Sequence, residues 1–345
     1  MRKIKTFRPL YAIFVLLMAL SFAMDASARS WRINNNLNRK AHFVDINAAM
    51  ASSDVLAGDT LYLDPGTTLS ATQNVTKQVT IVGTGYFLNN GMQPASISAT
   101  INLKAANIKI EGLEMTGTVC LASNNIILER CKIGSVSYSG TAQNATIRQC
   151  YIPNGQIGGA GMTDSRTTDW IIENCIIIRT NGYDPIINLN RPLIRNNYVR
   201  PNYSSASASI AHVSAATIVN NIFINTRFIG NAELYDVTGC TVSNNIFHVA
   251  SYSTTYPGNI IIPTNTEESV FALEGTNDQR YRLKEDSPAK GAAINGGDCG
   301  PYDGLYPYVP SGYPLGMPRF ESSSVPVRPL DGQLHVTQKV VLQGE

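Results

Sequence analysis

The sequence lacks a surplus of either charge. Its 345 residues carry 27 Lys and Arg against 25 Asp and Glu. Four of those cations (Arg2, Lys3, Lys5, Arg8) and one acid (Asp25) fall in the first 28 residues, which leaves 23 basic and 24 acidic groups beyond them. A chain this balanced has no concentrated basic face, so nucleic acid is not an expected partner. Nor is there a polybasic cluster for a membrane surface. Beyond residue 28 no apolar run approaches the ~20 residues that span a bilayer. A sustained 3.6-residue period is missing too, which argues against long amphipathic helices.

What is present begins with a basic head, an apolar run from Leu10 to about Met24, and the small residues Ala26-Ser27-Ala28. That order predicts a secretory signal peptide over residues 1–28, cleaved after Ala28. The run is too short for a membrane anchor, and no cysteine follows Ala28 to carry a lipid. The expectation is an exported chain without a transmembrane segment, resident in the periplasm, at the cell surface or in the medium.

The next feature is self-similarity. "TIVNNIFIN" from Thr217 returns as "TVSNNIFHV" from Thr241, and the pattern extends to seven hexamers starting at Ile110, Leu128, Ile147, Ile172, Ile194, Ile218 and Val242. Position 1 is aliphatic, position 4 is Leu, Cys or Asn, and position 6 is Met, Ile, Val or Phe; position 5 varies freely. Side chains alternate along a strand, so positions 4 and 6 share a face. The odd step from 1 to 4 requires a bend at positions 2 and 3. Asn suits that bend because it tolerates the left-handed conformation.

Repeated strand–bend–strand units of 18–25 residues describe a coil wound in one direction, with equivalent residues stacked at ~4.8 Å. The predicted architecture is all-β, a parallel β-helix, right-handed by the chirality of β connections. Position 4 then reads along the stack as Leu113, Cys131, Cys150, Cys175, Asn197, Asn221, Asn245. Six cysteines in an exported chain first suggest disulfides, but three in one ladder read as small buried filler, with room for one bridge at strand spacing. The asparagines read as amides bonded along the stack.

A solenoid must cover its ends. Before the repeats, Ile46, Ala49 and Met50 have helical spacing after Asp45, and Thr60–Leu63 reads as a strand closed by Asp64-Pro65-Gly66. A short capping helix leading into the first coil is expected. The β-helix with its cap is assigned to residues 29–301, and a tail rich in Pro, Gly and Tyr to 302–345, as a cap on the last coil or an appendage; "LHVTQKVVL" within it has a strand pattern.

"GDTLYLDPGT", "VTIVGTGYFL" and the N-N-x-F coils resemble the pectate-lyase-like superfamily of right-handed β-helices. "WRINNN", "GTGYFLNN" and "YRLKEDSPAKGAAINGGDCGPYDGLYPY" resemble a group of exported Bacteroidetes β-helix proteins of largely uncharacterised activity. The superfamily resemblance implies calcium-binding acids and an Arg or Lys base if the chain is a lyase. The only echo is "RPLIR", Arg191–Arg195, which lacks the lyase spacing; the paired aspartates and G-H-G of polygalacturonase relatives are missing. No catalytic residue is carried over, and neither a metal nor a cofactor is expected outside a lyase reading with calcium.

One constellation comes from the residues themselves. "PIIN", "SIAH", "ELYD" and "NIII", starting at Pro185, Ser209, Glu233 and Asn259, recur between the hexamers. Their last positions would stack as Asn188, His212, Asp236 and Ile262. Asp beside His orients an imidazole that can serve as a general base; the plainer reading is a polar ladder at a turn. Two parities stay open, with Ile186, Ile210 and Leu234 inward or with Ile187, Ala211 and Tyr235 inward. Glu233 and Tyr235 share the neighbourhood, and Arg227 precedes it. In the loop 153–169, Arg166 lies between Asp164 and Asp169, a pattern that suits a surface salt bridge. The functional expectation is an exported, monomeric, non-catalytic β-helix that binds a glycan or serves as a structural element. Its substrate-binding candidates are Asn188, His212, Asp236, Glu233 and Tyr235. The alternative is a lyase or hydrolase acting on an acidic polysaccharide.

Overall fold

The structure is a computed structural model that describes residues 28–88, 92–159, 165–179, 184–201, 208–224, 233–248, 252–262, 266–275, 277–314, 318–324, 328, 333–334 and 336–342. The expected signal peptide thus falls almost wholly outside the described residues.

The seven hexamers stack as the sequence requires. Ile110, Leu128, Ile147, Ile172, Ile194, Ile218 and Val242 are successive partners in one parallel sheet. Trp31, Leu61 and Ile81 extend that row to the N-terminal end, so "WRINN" supplies a first coil that the repeat pattern alone does not reveal. This ten-stranded sheet is the first face of the helix. The bend falls at position 3 in every repeat: Gly112, Arg130, Gln149, Asn174, Asn196, Asn220 and Asn244 all have left-handed φ between 52 and 63°. Position 2 remains inside the strand, so the bend is one residue long.

After the bend the chain enters a second face, with strands such as Tyr151–Pro153, Ile176–Ile178 and Tyr198–Arg200. A third face holds Ile157–Gly158, Ile186–Asn190, Ile210–Ser214 and Leu234–Thr238. In two coils the second and third faces run as one strand, Glu114–Leu121 and Lys132–Tyr138. The corner between them is tight there: a Cβ on Gly134 would sit 2.2 Å from the Thr116 carbonyl. All these strands pair in parallel, and the fold is a parallel β-helix.

Position 4 is fully buried in all seven coils. The Asn221 amide donates to Ile194 O, Val219 O and Asn245 Oδ1, each at 2.9 Å, while its Oδ1 accepts from the Asn197 backbone and side chain. The cysteines of this ladder are thiols that donate to backbone carbonyls, as Cys131 does to Glu129 O at 3.2 Å, and all six cysteines are unbridged. Burial pushes the Cys131 and Cys150 thiols up, which keeps them protonated. Position 6 packs inward beside the ladder, ending in Phe223 stacked on Phe247 at 4.9 Å.

At the N-terminal end, the helix Ile46–Ala51 is capped by the Asp45 carboxylate, which accepts from Ala48 N at 2.7 Å. Ile46 and Ala49 close the core and Met50 packs at its margin. No helix among the described residues is long and apolar enough to cross a membrane.

Residues 266–275 and 277–314 run as a strap over the outside of the second face. Its track is the row of position-3 side chains. Asn244 donates to Ala292 O at 3.2 Å, Asn220 Oδ1 accepts from Ile294 N at 3.0 Å, and Asn174 donates to Pro301 O at 2.9 Å and Asp303 O at 2.6 Å. Gln149 donates to Pro307 O at 2.5 Å, and Tyr86 N to Ser311 O at 2.8 Å. Beyond the strap, Pro318–Ser324 and Thr337–Leu342 pair as an antiparallel hairpin, which contains the strand expected in "LHVTQKVVL".

Candidate functional site

Asn188, His212 and Asp236 occupy equivalent bends on the third face, with left-handed φ of 58, 52 and 49°. The strand pairs on either side are Ile186–Ile210–Leu234 and Leu189–Val213–Val237. Both sets point to the core, so the single left-handed residue between them reverses the parity and turns the trio outward. Of the two parities, Ile186, Ile210 and Leu234 inward is the one observed. The fourth member of the expected ladder is misplaced: Ile260–Ile261 pairs with Ile246–Phe247 on the second face. Ile262 therefore does not follow Asp236. Asn259 instead extends the position-4 ladder, its Oδ1 accepting from the Asn245 amide at 2.9 Å.

The trio divides by burial. Asn188 is buried and donates to Gly159 O, while its Oδ1 has no hydrogen-bond partner among the described residues. His212 Nδ1 meets Asp236 Oδ2 at 2.7 Å, with the two side chains 39% and 55% exposed. Tyr235, 59% exposed, presents its ring edge-on to the imidazole with centroids 5.3 Å apart. Histidine, aspartate and tyrosine thus form one surface patch. Asp184 lies at the start of the neighbouring strand; burial pushes its carboxyl up, against the Ala208 N–H at 2.7 Å and the positive fields of His212 and Arg179.

Glu233 does not belong to this patch. Its carboxylate is fully buried and bonded to His248, both at the backbone N–H (3.0 Å) and at Nδ1. The residue precedes the strand and turns inward at the corner, so it is removed from the surface candidates. Its Oε2 and the His248 Nε2 have no partner among the described residues. The His248 pairing was not legible from sequence, because His248 lies at the end of a second-face strand and meets Glu233 only through the winding of the coil.

The other charged residues singled out in the sequence lie away from this patch or outside the described residues. Arg191 holds Asp169 through a two-point contact at 2.7 and 3.0 Å, which keeps that carboxyl below its usual range. Arg195 holds Glu173 at 2.6 Å. Both arginines of "RPLIR" are therefore paired with acids, Arg195 on the first face and Arg191 at the corner that precedes it. Arg166 lies over the Tyr138 ring at 5.5 Å; Asp164 and Arg227 lie outside the described residues. Among the described residues no group of three or more His, Cys, Asp or Glu side chains is placed to hold a metal ion.

Fold and patch together define a parallel β-helix with an aromatic and ionisable cluster at one corner of its third face. No family model matches the chain, and no curated protein matches it. Among solved structures, a pectate lyase from Bacillus sp. N165 in complex with trigalacturonate is similar, with a TM-score of 0.42 and 13% identity, over 81% of this chain and 95% of that one.

Proposed function

We propose that the protein is an exported, non-catalytic β-helix that binds a glycan chain across its third face. The observation that carries this reading is Tyr235, whose ring stands exposed beside the His212–Asp236 pair. An aromatic ring offers an apolar face with a polar tip, and the C–H face of a pyranose stacks on such a surface while its hydroxyls seek the adjacent carboxylate and imidazole. Tyr235 follows Gly158, Ile187 and Ala211 through successive strand partners; Gly158 and Ala211 are buried, so the exposed surface of this row is at Tyr235.

A second reading rests on one contact. Asp236 at 2.7 Å from His212 Nδ1 fixes the ring as a carboxylate fixes a general base, which would suit a lyase or hydrolase acting on an acidic polysaccharide. A glycan array on the mature protein identifies the ligand, and titration of that ligand into Tyr235→Ala is expected to show at least tenfold weaker binding with unchanged folding. Acidic polysaccharides are then incubated with and without calcium while unsaturated-product absorbance is followed. Turnover that His212→Ala abolishes overturns the binding-only reading; Tyr235→Ala binding as tightly as the parent overturns the site.

A further inference from the structure

The strap contains a recess of about 240 Å³ lined by Tyr281, Arg282, Lys290, Asp298, Tyr302 and Asp303, among others. It lies away from the third face. Its volume is below the roughly 300–1,000 Å³ of pockets for drug-sized ligands, which limits the occupant to about one sugar ring.

The charges around it are unequally committed. Asp303 uses both carboxylate oxygens on the loop that carries it, accepting from Asp298 N at 2.5 Å and Gly304 N at 2.7 Å. Asp298 accepts from Gly291 N at 2.9 Å through Oδ1, which leaves Oδ2 available to a ligand hydroxyl. Neither cation is paired with a carboxylate among the described residues: Arg282 lies over the Tyr302 ring at 4.7 Å, and Lys290 makes no ion pair. Cation–π contact holds a guanidinium in place without taking hydrogen bonds from its N–H edge. The recess therefore offers two unspent cationic donors, one unspent carboxylate oxygen and tyrosine walls.

We propose that this recess binds a carboxylated sugar, a uronic acid unit, with its carboxylate on Arg282 and Lys290 and a hydroxyl on Asp298. The two acids offset the two cations, so a bare anion meets little net attraction. A ligand carrying both an anionic group and hydroxyl donors matches the set. The site is independent of the third face, so its failure and that of the Tyr235 site are separable.

Ligand-observed NMR titration of the full mature chain tests it with sodium D-glucuronate, D-glucose, sodium acetate and glycine. Glucuronate is expected to bind at least tenfold more tightly than the other three. Lys290→Met and Arg282→Gln should each weaken it tenfold or more, Asp298→Asn should bring glucuronate close to acetate, and Tyr235→Ala should change nothing. Arg282→Gln also removes packing on Tyr302, so Lys290→Met decides alone if the arginine variant fails to fold. Equal binding of acetate, tighter binding of glycine, parental affinity in Lys290→Met, or loss in Tyr235→Ala each overturns the assignment.

Discussion

Asn221 shows how much one side chain carries in this fold. Its amide and carbonyl groups make five hydrogen bonds within the buried stack, to Ile194, Val219, Asn197 and Asn245. An alanine there leaves several backbone and amide groups buried without partners, at about 1–3 kcal/mol each. Asn221→Ala is therefore expected to lower unfolding free energy by at least ~3 kcal/mol, measured by denaturant titration. His212→Ala, at a half-exposed corner, should cost under ~1 kcal/mol. The ladder was legible in the sequence because coils of nearly constant length put like residues in line. Asn259 escaped because it follows Asn245 by 14 residues instead of 24. The one-turn helix Tyr252–Thr255 lies in that shortened interval, and spacing alone cannot reveal it.

At the scale of elements, position 5 of the repeat acquires a meaning that free variation concealed. Successive partners on the second face read Glu114, Lys132, Tyr151, Ile176, Tyr198, Ile222 and Ile246. Glu114 and Lys132 pair with each other at 2.5 Å, whereas Ile176, Tyr198, Ile222 and Ile246 are buried against Val270, Phe271, Tyr281 and Cys299 of the strap. Full burial of such a side chain contributes about 1.5–3 kcal/mol, so the outward face turns apolar where the strap covers it. Periodicity finds a core by its inward residues and does not show which outward ones are covered. The polar half of the interface is the position-3 row, where Asn174 meets two strap carbonyls. Asn174→Gly keeps the left-handed bend while removing both bonds. The expected loss is about 1–3 kcal/mol, with faster amide exchange over 291–304 and unchanged exchange in the neighbouring coils. Asn174→Ala should cost roughly 1–2 kcal/mol more, because a Cβ strains that backbone.

For the whole molecule, the strap alters how the solenoid holds together. A bare solenoid couples each coil only to its neighbours, but this strap ties the coil of Asn244 to that of Tyr86. Its two ends meet at Asp278. The buried carboxylate accepts from Tyr308 OH at 2.8 Å and Ser311 N at 2.7 Å through Oδ2, and Tyr308 OH meets Tyr86 OH at 2.7 Å. Oδ1 is buried without a partner among the described residues. Burial pushes the Asp278 carboxyl up more strongly than these two donors draw it down. The folded state then binds the proton more tightly than the unfolded chain, whose Asp titrates near ~3.9. This contribution to stability is complete below the unfolded value and is lost as pH rises through the raised folded one. Asp278→Asn keeps an acceptor for Tyr308 and Ser311 and removes the ionisable group. Chemical denaturation across a pH series should therefore show the variant flat where the parent declines, with the variant the more stable at neutral pH. Parallel curves would move the pH dependence to Asp184, the other carboxyl that burial pushes up. A strap fastened by a buried acid would then grip the coils most firmly in acid, and amide exchange over 291–304 should quicken with rising pH in the parent beyond its intrinsic increase, but not in Asp278→Asn.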